Sequence, residues 1–267
     1  MEKASVVKDL ARKSIALTIA GFDPSSGAGV TADLQVFRNH GIHGVASIAA
    51  ITVQSTRSVR RIEPVSRALL QESLDCLVGD MGIDGVKIGM LGTAEAVGAV
   101  ADFLRRAGIP KQRVVLDPVI RASSGAELLE SAGVRRLVAE MLPMVGWVTP
   151  NLDEAAALLG EEVAGRDGIP DQARRIAALG GTGQGGSGLN VVVTGGHLDP
   201  PDDFLRTAGG EERWFPGVRM ESRSIHGTHG TGCVFSSALL CRLLLGDGAA
   251  EAVAGAKAAV VRRLQGE

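Results

Sequence analysis

The sequence predicts an α/β fold with a central, mostly parallel sheet between two layers of helices. Two patterns and the length carry that prediction. Short β-branched runs bounded by Gly, Pro, Asp or Asn recur along the chain, and segments with helical apolar spacing lie between them. Alternation of this kind gives βαβ units, and a parallel sheet built from them is covered on both faces. At 267 residues, with no Pro-rich or charged linker and no fixed-period repeat, residues 1–267 are expected to form one domain.

In chain order, strands are expected at 15–20, 45–53, 85–88, 113–116, 147–148 and 190–193. Helices are expected between them at 28–40, 66–79, 94–107, 134–141, 152–159 and 171–179, followed by two successive helices at 231–245 and 249–264. The run GGTGQGGSG at 180–188 sits between a helix and a strand and reads as a surface connection.

Composition excludes several function classes. The 28 basic and 30 acidic side chains leave a charge of −2, and aromatics are 3% with no tyrosine, so neither a nucleic-acid footprint nor a base-stacking surface is expected. No apolar run reaches the roughly 18 to 20 residues that span a bilayer, since Arg242 interrupts the richest stretch. Charged residues from Glu2 to Lys13 break up the N-terminus, so it does not read as a secretory signal, and a cytoplasmic protein without a membrane partner is expected. Cys76, Cys233 and Cys241 lack CxxC spacing, which argues against a disulfide framework or a zinc site.

Two glycine patterns mimic a dinucleotide fingerprint: Gly27, Gly29 and Ala32 after a strand, and Gly181, Gly183 and Gly186 before one. The second is in the wrong place. The first has no acidic residue about 20 positions on, where residues 51–54 lie, so NAD binding is rejected.

Chemistry is expected at three places. The first is HGTHGTGCV at 226–234, where glycines precede an apolar helix, so that converging N–H groups and the helix dipole can hold an anion. Cys233 lies at that helix start, where the dipole is expected to lower a thiol pKa; the alternative is a small packing residue. The second is TPNLDE at 149–154. Asn151 can cap the next helix, and an amide oxygen and carboxylate at a strand end also suit magnesium and its waters. The third is GFDPSSGAGVTAD at 21–33, whose Asp33 is either a substrate contact or a solvated helix position.

Together these motifs resemble the ribokinase-like superfamily, and within it the hydroxymethylpyrimidine/phosphomethylpyrimidine kinases of thiamine biosynthesis. The similarity runs through ALTIAGFDPSSGAGVTADLQVF, ITVQST, VKIGMLG, VVLDPVI, VTPNLDEAAALLG, VVVTGGHLD and THGTGCVFSSAL, in that order. The resemblance implies a ribokinase-like three-layer sandwich and two successive phosphoryl transfers from MgATP, first to 4-amino-5-hydroxymethyl-2-methylpyrimidine and then to its monophosphate. It implies that Asp33 and Gln54 bond the aminopyrimidine, with Met90 and the region of Gly21 forming apolar walls. It further implies an anion hole from Gly230, Gly232 and the Cys233 N–H, with Cys233 where most sugar kinases of the superfamily carry an aspartate base. Asn151 and Glu154 would organise magnesium through water, Asp117 would be a further metal contact, and Thr194 and Thr231 would meet the nucleotide. A homodimer is also expected by resemblance.

Three departures stand out. Thr194 replaces a phosphate-contacting lysine, Phe22 replaces a threonine, and the lysine frequent after Asp117 and Pro118 is absent, with Arg121 nearby. Alternatives are a pyridoxal kinase, on the shared scaffold, and a pyrimidine-binding regulatory protein with weak transfer, on the missing lysine.

Overall fold

Nine strands form one sheet in the order β3-β2-β1-β4-β5-β6-β7-β8-β9. This is a computed structural model, and it describes residues 13–122, 125–181 and 188–267. The parallel part comprises β1 (Ile15–Phe22), β2 (His43–Gln54), β4 (Gly85–Ile88), β5 (Val114–Leu116), β6 (Trp147–Val148) and β7 (Asn190–Val193). Antiparallel strands extend both edges: β3 (Val59–Pro64) pairs with β2, while β8 (Asp203–Arg206) and β9 (Glu212–Phe215) follow β7. These three strands were not expected. Their charge-bearing sequences VRRIEP, DFLR and ERWF carry little of the apolar run that marks the central strands, although β8 is largely buried.

Alternating strand residues divide the core in two. Val114, Leu116, Val148, Val191 and Val193 join one apolar cluster, with α2 (Arg67–Asp80), α3 (Ala94–Ala107), α5 (Leu152–Leu159) and α6 (Ile169–Leu179) contributing to it. Val115, Trp147 and Val192 point the other way, into a cluster with α1 (Gly29–Asn39), α7 (Thr231–Leu244) and α8 (Ala249–Gln265). The result is the three-layer sandwich expected, with a mixed sheet. The helix expected at 134–141 is instead α4 (Ser131–Arg136) running into a wider π-type turn over Leu137–Met141. Among the described residues no helix is long and apolar enough to cross a membrane. Most of the 180–188 connection, including Gly183 and Gly186, lies outside the described residues, as do 1–12.

Local chemistry sets the helix starts that matter here. Asn151 and Glu154 form a reciprocal capping box at α5, each side chain accepting from the other's backbone N–H at 2.9 Å. At α7 the cap is Gly230, with φ of 79° and no side chain to fill the first turn.

Candidate active site

A cavity of about 1830 Å³ opens along the carboxyl ends of the parallel strands. That exceeds the roughly 300–1,000 Å³ of a site for one small ligand, so two ligands can share it. Each central strand delivers a residue to the wall: Gly21 from β1, Gln54 from β2, Met90 after β4, Asp117 after β5, Asn151 after β6 and Thr194 after β7. The strand order reverses between β1 and β4, the place where open α/β sheets bind ligands.

The anion loop is built by close backbone approach. A Cβ on Gly230 would lie 1.9 Å from the Gly27 carbonyl oxygen, and one on Gly29, at φ of 63°, would lie 2.2 Å from that of Gly21. Only glycine fits either place. Gly27 and Gly29 therefore serve loop packing, not a dinucleotide. The first bond inside α7 runs from Val234 N–H to the Gly230 carbonyl, so the N–H groups of Thr231, Gly232 and Cys233 have no acceptor within the helix. All three residues and Gly230 line the cavity.

Cys233 reaches the cavity wall, half-buried, and its sulfur accepts a hydrogen bond from the Gly29 N–H. The acidic thiol expected from the helix start is not what the surroundings produce. Burial pushes the thiol up to about 12, and the pull of Lys87 in the other direction does not offset it. These surroundings favour the protonated thiol at neutral pH.

Two buried carboxyl groups, Asp117 and Glu154, also line the cavity, and Asp117 accepts from Ser236 of α7. Burial raises both pKa values; Asp117 adds to the rise at Glu154, while Lys87 and a 3.0 Å hydrogen bond from Ser236 act against it at Asp117. The open face of Gly232 looks toward Asp117, a Cβ there being 3.9 Å from its Oδ2. Asn151 uses its side-chain oxygen in the α5 cap, so its amide N–H groups are what it best offers the cavity. Thr194 lies beside it, its N–H bonded to the Pro150 carbonyl, and Arg121 is exposed at the rim.

At the other end, a Cβ on Gly21 would meet the Met90 sulfur at 3.0 Å, so the two pack as one wall. Met90 clusters with Ala50 and Leu128, and β3 adds the half-buried Val59 and Ile62. Phe22 and Gln54 complete this apolar end.

Asp33 is the misplaced residue. It is fully buried and absent from the cavity wall, with both oxygens bonded to Lys87 Nζ at 3.0 and 2.9 Å and further bonds from Thr18 and Ser237. Neither the substrate contact nor the solvated position expected for it is present. The cavity-facing acid of the first loop is Asp23, only 2% exposed and bonded to His229 Nε2 at 2.8 Å. Sequence reading passed over Asp23, His229 and Lys87. Asp23 reads as a turn residue, and its partner is 206 positions away.

A sequence model of the family described as phosphomethylpyrimidine kinase matches residues 23–267. The hydroxymethylpyrimidine/phosphomethylpyrimidine kinase of Rhizobium meliloti (strain 1021) is 41% identical over 248 residues, covering 92% of this chain and 88% of that protein. The crystal structure of phosphomethylpyrimidine kinase from Clostridium difficile 630 superposes with a TM-score of 0.77 at 29% identity, covering 94% of this chain and 99% of that one. The pyridoxal kinase of Staphylococcus aureus in complex with AMP-PCP and pyridoxal also gives 0.77, at 27% identity, over 93% of this chain and 87% of that one. Because the family model spans nearly the whole chain, and a relative 41% identical covers 92% of it, the chain belongs to the phosphomethylpyrimidine kinase family.

Proposed function

We propose that the chain transfers the γ-phosphoryl group of ATP first to 4-amino-5-hydroxymethyl-2-methylpyrimidine and then to the monophosphate so formed, yielding the pyrophosphate used in thiamine biosynthesis. One observation carries the reading. The α7 amides without an acceptor in the helix, two buried carboxyl groups and the Gly21–Met90 wall all line one cavity, so an anion and an apolar ring can lie side by side.

In the first transfer the hydroxymethyl oxygen attacks the γ-phosphorus, its proton passes to the small fraction of Cys233 present as thiolate, and the bond to the ADP oxygen breaks. Gly230 lets the loop reach the ligand, while the amides of Thr231, Gly232 and Cys233 meet charge on the phosphoryl oxygens. Asn151 and Thr194 donate to the nucleotide phosphates, and Gln54 bonds the ring. Asp117 and Glu154 fit a magnesium ion: they are hard oxygen donors whose burial leaves them in need of a cation. Magnesium, when bound, would neutralise phosphate oxygens as charge shifts to the leaving group. Residues 1–267 act in this reading as one kinase domain in the cytoplasm, where ATP is supplied.

Purified protein with MgATP and the pyrimidine alcohol is expected to release ADP and form mono- and then diphosphorylated pyrimidine, read by mass spectrometry. Folded protein that releases no ADP overturns the reading, and tight pyrimidine binding without transfer would instead indicate a binding protein. The likeness to a pyridoxal-bound kinase favours pyridoxal as the second alcohol. Initial rates on the two rings, measured side by side, separate these.

The proposal includes a symmetric dimer. An extra residue at Ala49 in the β1–β2 register brings Ile48, Ile51 and Val53 onto one exposed face, with Ile51 at 49% and Val53 at 52% exposure. Light scattering is expected to give the mass of two chains, and Ile51→Asp that of one. A monomeric wild type refutes it.

A further inference from the structure

The carboxylate of Asp23 gathers donors from three parts of the chain. Ser25 donates to it through N–H and Oγ at 2.8 Å, Ala28 N–H at 2.9 Å, and His229 Nε2 at 2.8 Å. The Gln54 side chain bonds it as well. Burial disfavours its charge, but the bonds from His229, Gln54 and Ser25 win, holding Asp23 far below the usual carboxylate range. An ionised carboxylate only accepts, so each partner must present a proton. Gln54 therefore turns its NH₂ toward Asp23, and its carbonyl oxygen is what remains for a ligand.

Chemical consequences follow at both ends of the cavity. A ring with an amino group meets the Gln54 oxygen as donor to acceptor, whereas a ring with an oxygen acceptor there sets two acceptors against each other. His229 directly precedes Gly230, and its ring covers Gly27, where a Cβ would lie 2.5 Å from His229 Cδ2. The bond to Asp23 thus fastens the anion loop to the loop after β1.

We propose that Asp23 is a positioning residue with two duties: it fixes the Gln54 amide so that the site selects an amino-bearing ring, and through His229 it holds the anion loop where the phosphoryl group must sit. This rests on the kinase reading above. It assigns ring selectivity to a side chain that need not touch the ring.

The test compares Asp23→Asn, His229→Ala and His229→Gln on the aminopyrimidine alcohol and on its 4-oxo analogue. Asparagine can donate as well as accept, so Asp23→Asn is expected to raise KM for the amino ring about tenfold and to shrink the preference over the oxo ring about tenfold. His229→Ala is expected to lower kcat about tenfold to a hundredfold with KM changed less than about threefold. His229→Gln, which keeps a donor, should restore most of that loss. Variants that lose only folded protein, with ring preference and the kcat-to-KM split unchanged, overturn the inference. Should Asp23→Asn not fold, calorimetry on the wild type decides, because equal affinity for the two rings also overturns it. A wild type that neither binds nor phosphorylates either ring sinks the kinase reading itself, an outcome distinct from an active enzyme whose Asp23→Asn variant keeps full selectivity.

Discussion

Lys87→Met is expected to cost about 3–5 kcal/mol of stability, because it strands a buried carboxylate. Lys87 and Asp33 are both fully buried, and their ion pair at 2.9 Å joins β4 to α1. Thr18 in β1 and Ser237 in α7 donate to the same carboxylate at 2.6 and 2.7 Å, so four elements meet on one charge pair behind the site. Burial works against the ammonium, yet the Asp33 carboxylate beside it keeps Lys87 charged, above the usual lysine range. Methionine matches the stem but not the charge, and two hydroxyl donors cannot replace it. Urea unfolding at pH 7 checks the figure. The double variant Lys87→Met with Asp33→Asn should be more stable than Lys87→Met alone, since it removes the orphaned charge. A midpoint unmoved by Lys87→Met would mean that the pair contributes nothing.

The same residues show what a sequence can and cannot reveal. Strands at 85–88, 147–148 and 190–193 were legible to the residue, because buried parallel strands are short apolar runs between turn formers. Strand ends then locate the cavity, which is why Gly21, Gln54, Met90, Asp117, Asn151, Glu154 and Thr194 all line it. Asp33 was misread because its helix gives no sign of a lysine 54 positions later that buries with it. Local reasoning also misjudged Cys233. A helix start favours the thiolate, but the neighbours that desolvate the sulfur come from distant segments and push the other way. Strands β3, β8 and β9 escaped because charged residues interrupt each of them, and β3 and β9, at the sheet edges, are also half or more exposed.

Cys233→Ala is expected to separate the two phosphoryl transfers. The alcohol must lose a proton to become a nucleophile, so removing the base should slow the first transfer by about 10² to 10⁴-fold. The monophosphate has no such need: with a second pKa near 6, it already carries an anionic oxygen above pH 7. Its phosphorylation should fall less than about tenfold, and pyrimidine affinity should hold within about threefold, because Gln54 and the Gly21–Met90 wall are untouched. The pH dependence has a matching sign. Burial holds the thiol at about 12, so the base form grows about tenfold with each pH unit, and kcat/KM for the alcohol should climb from pH 7 to 9 without levelling. The monophosphate should show no such climb over that range. Equal losses in both transfers would assign Cys233 to shaping the anion hole, whereas an alcohol rate unchanged in the alanine variant would leave proton removal to another group.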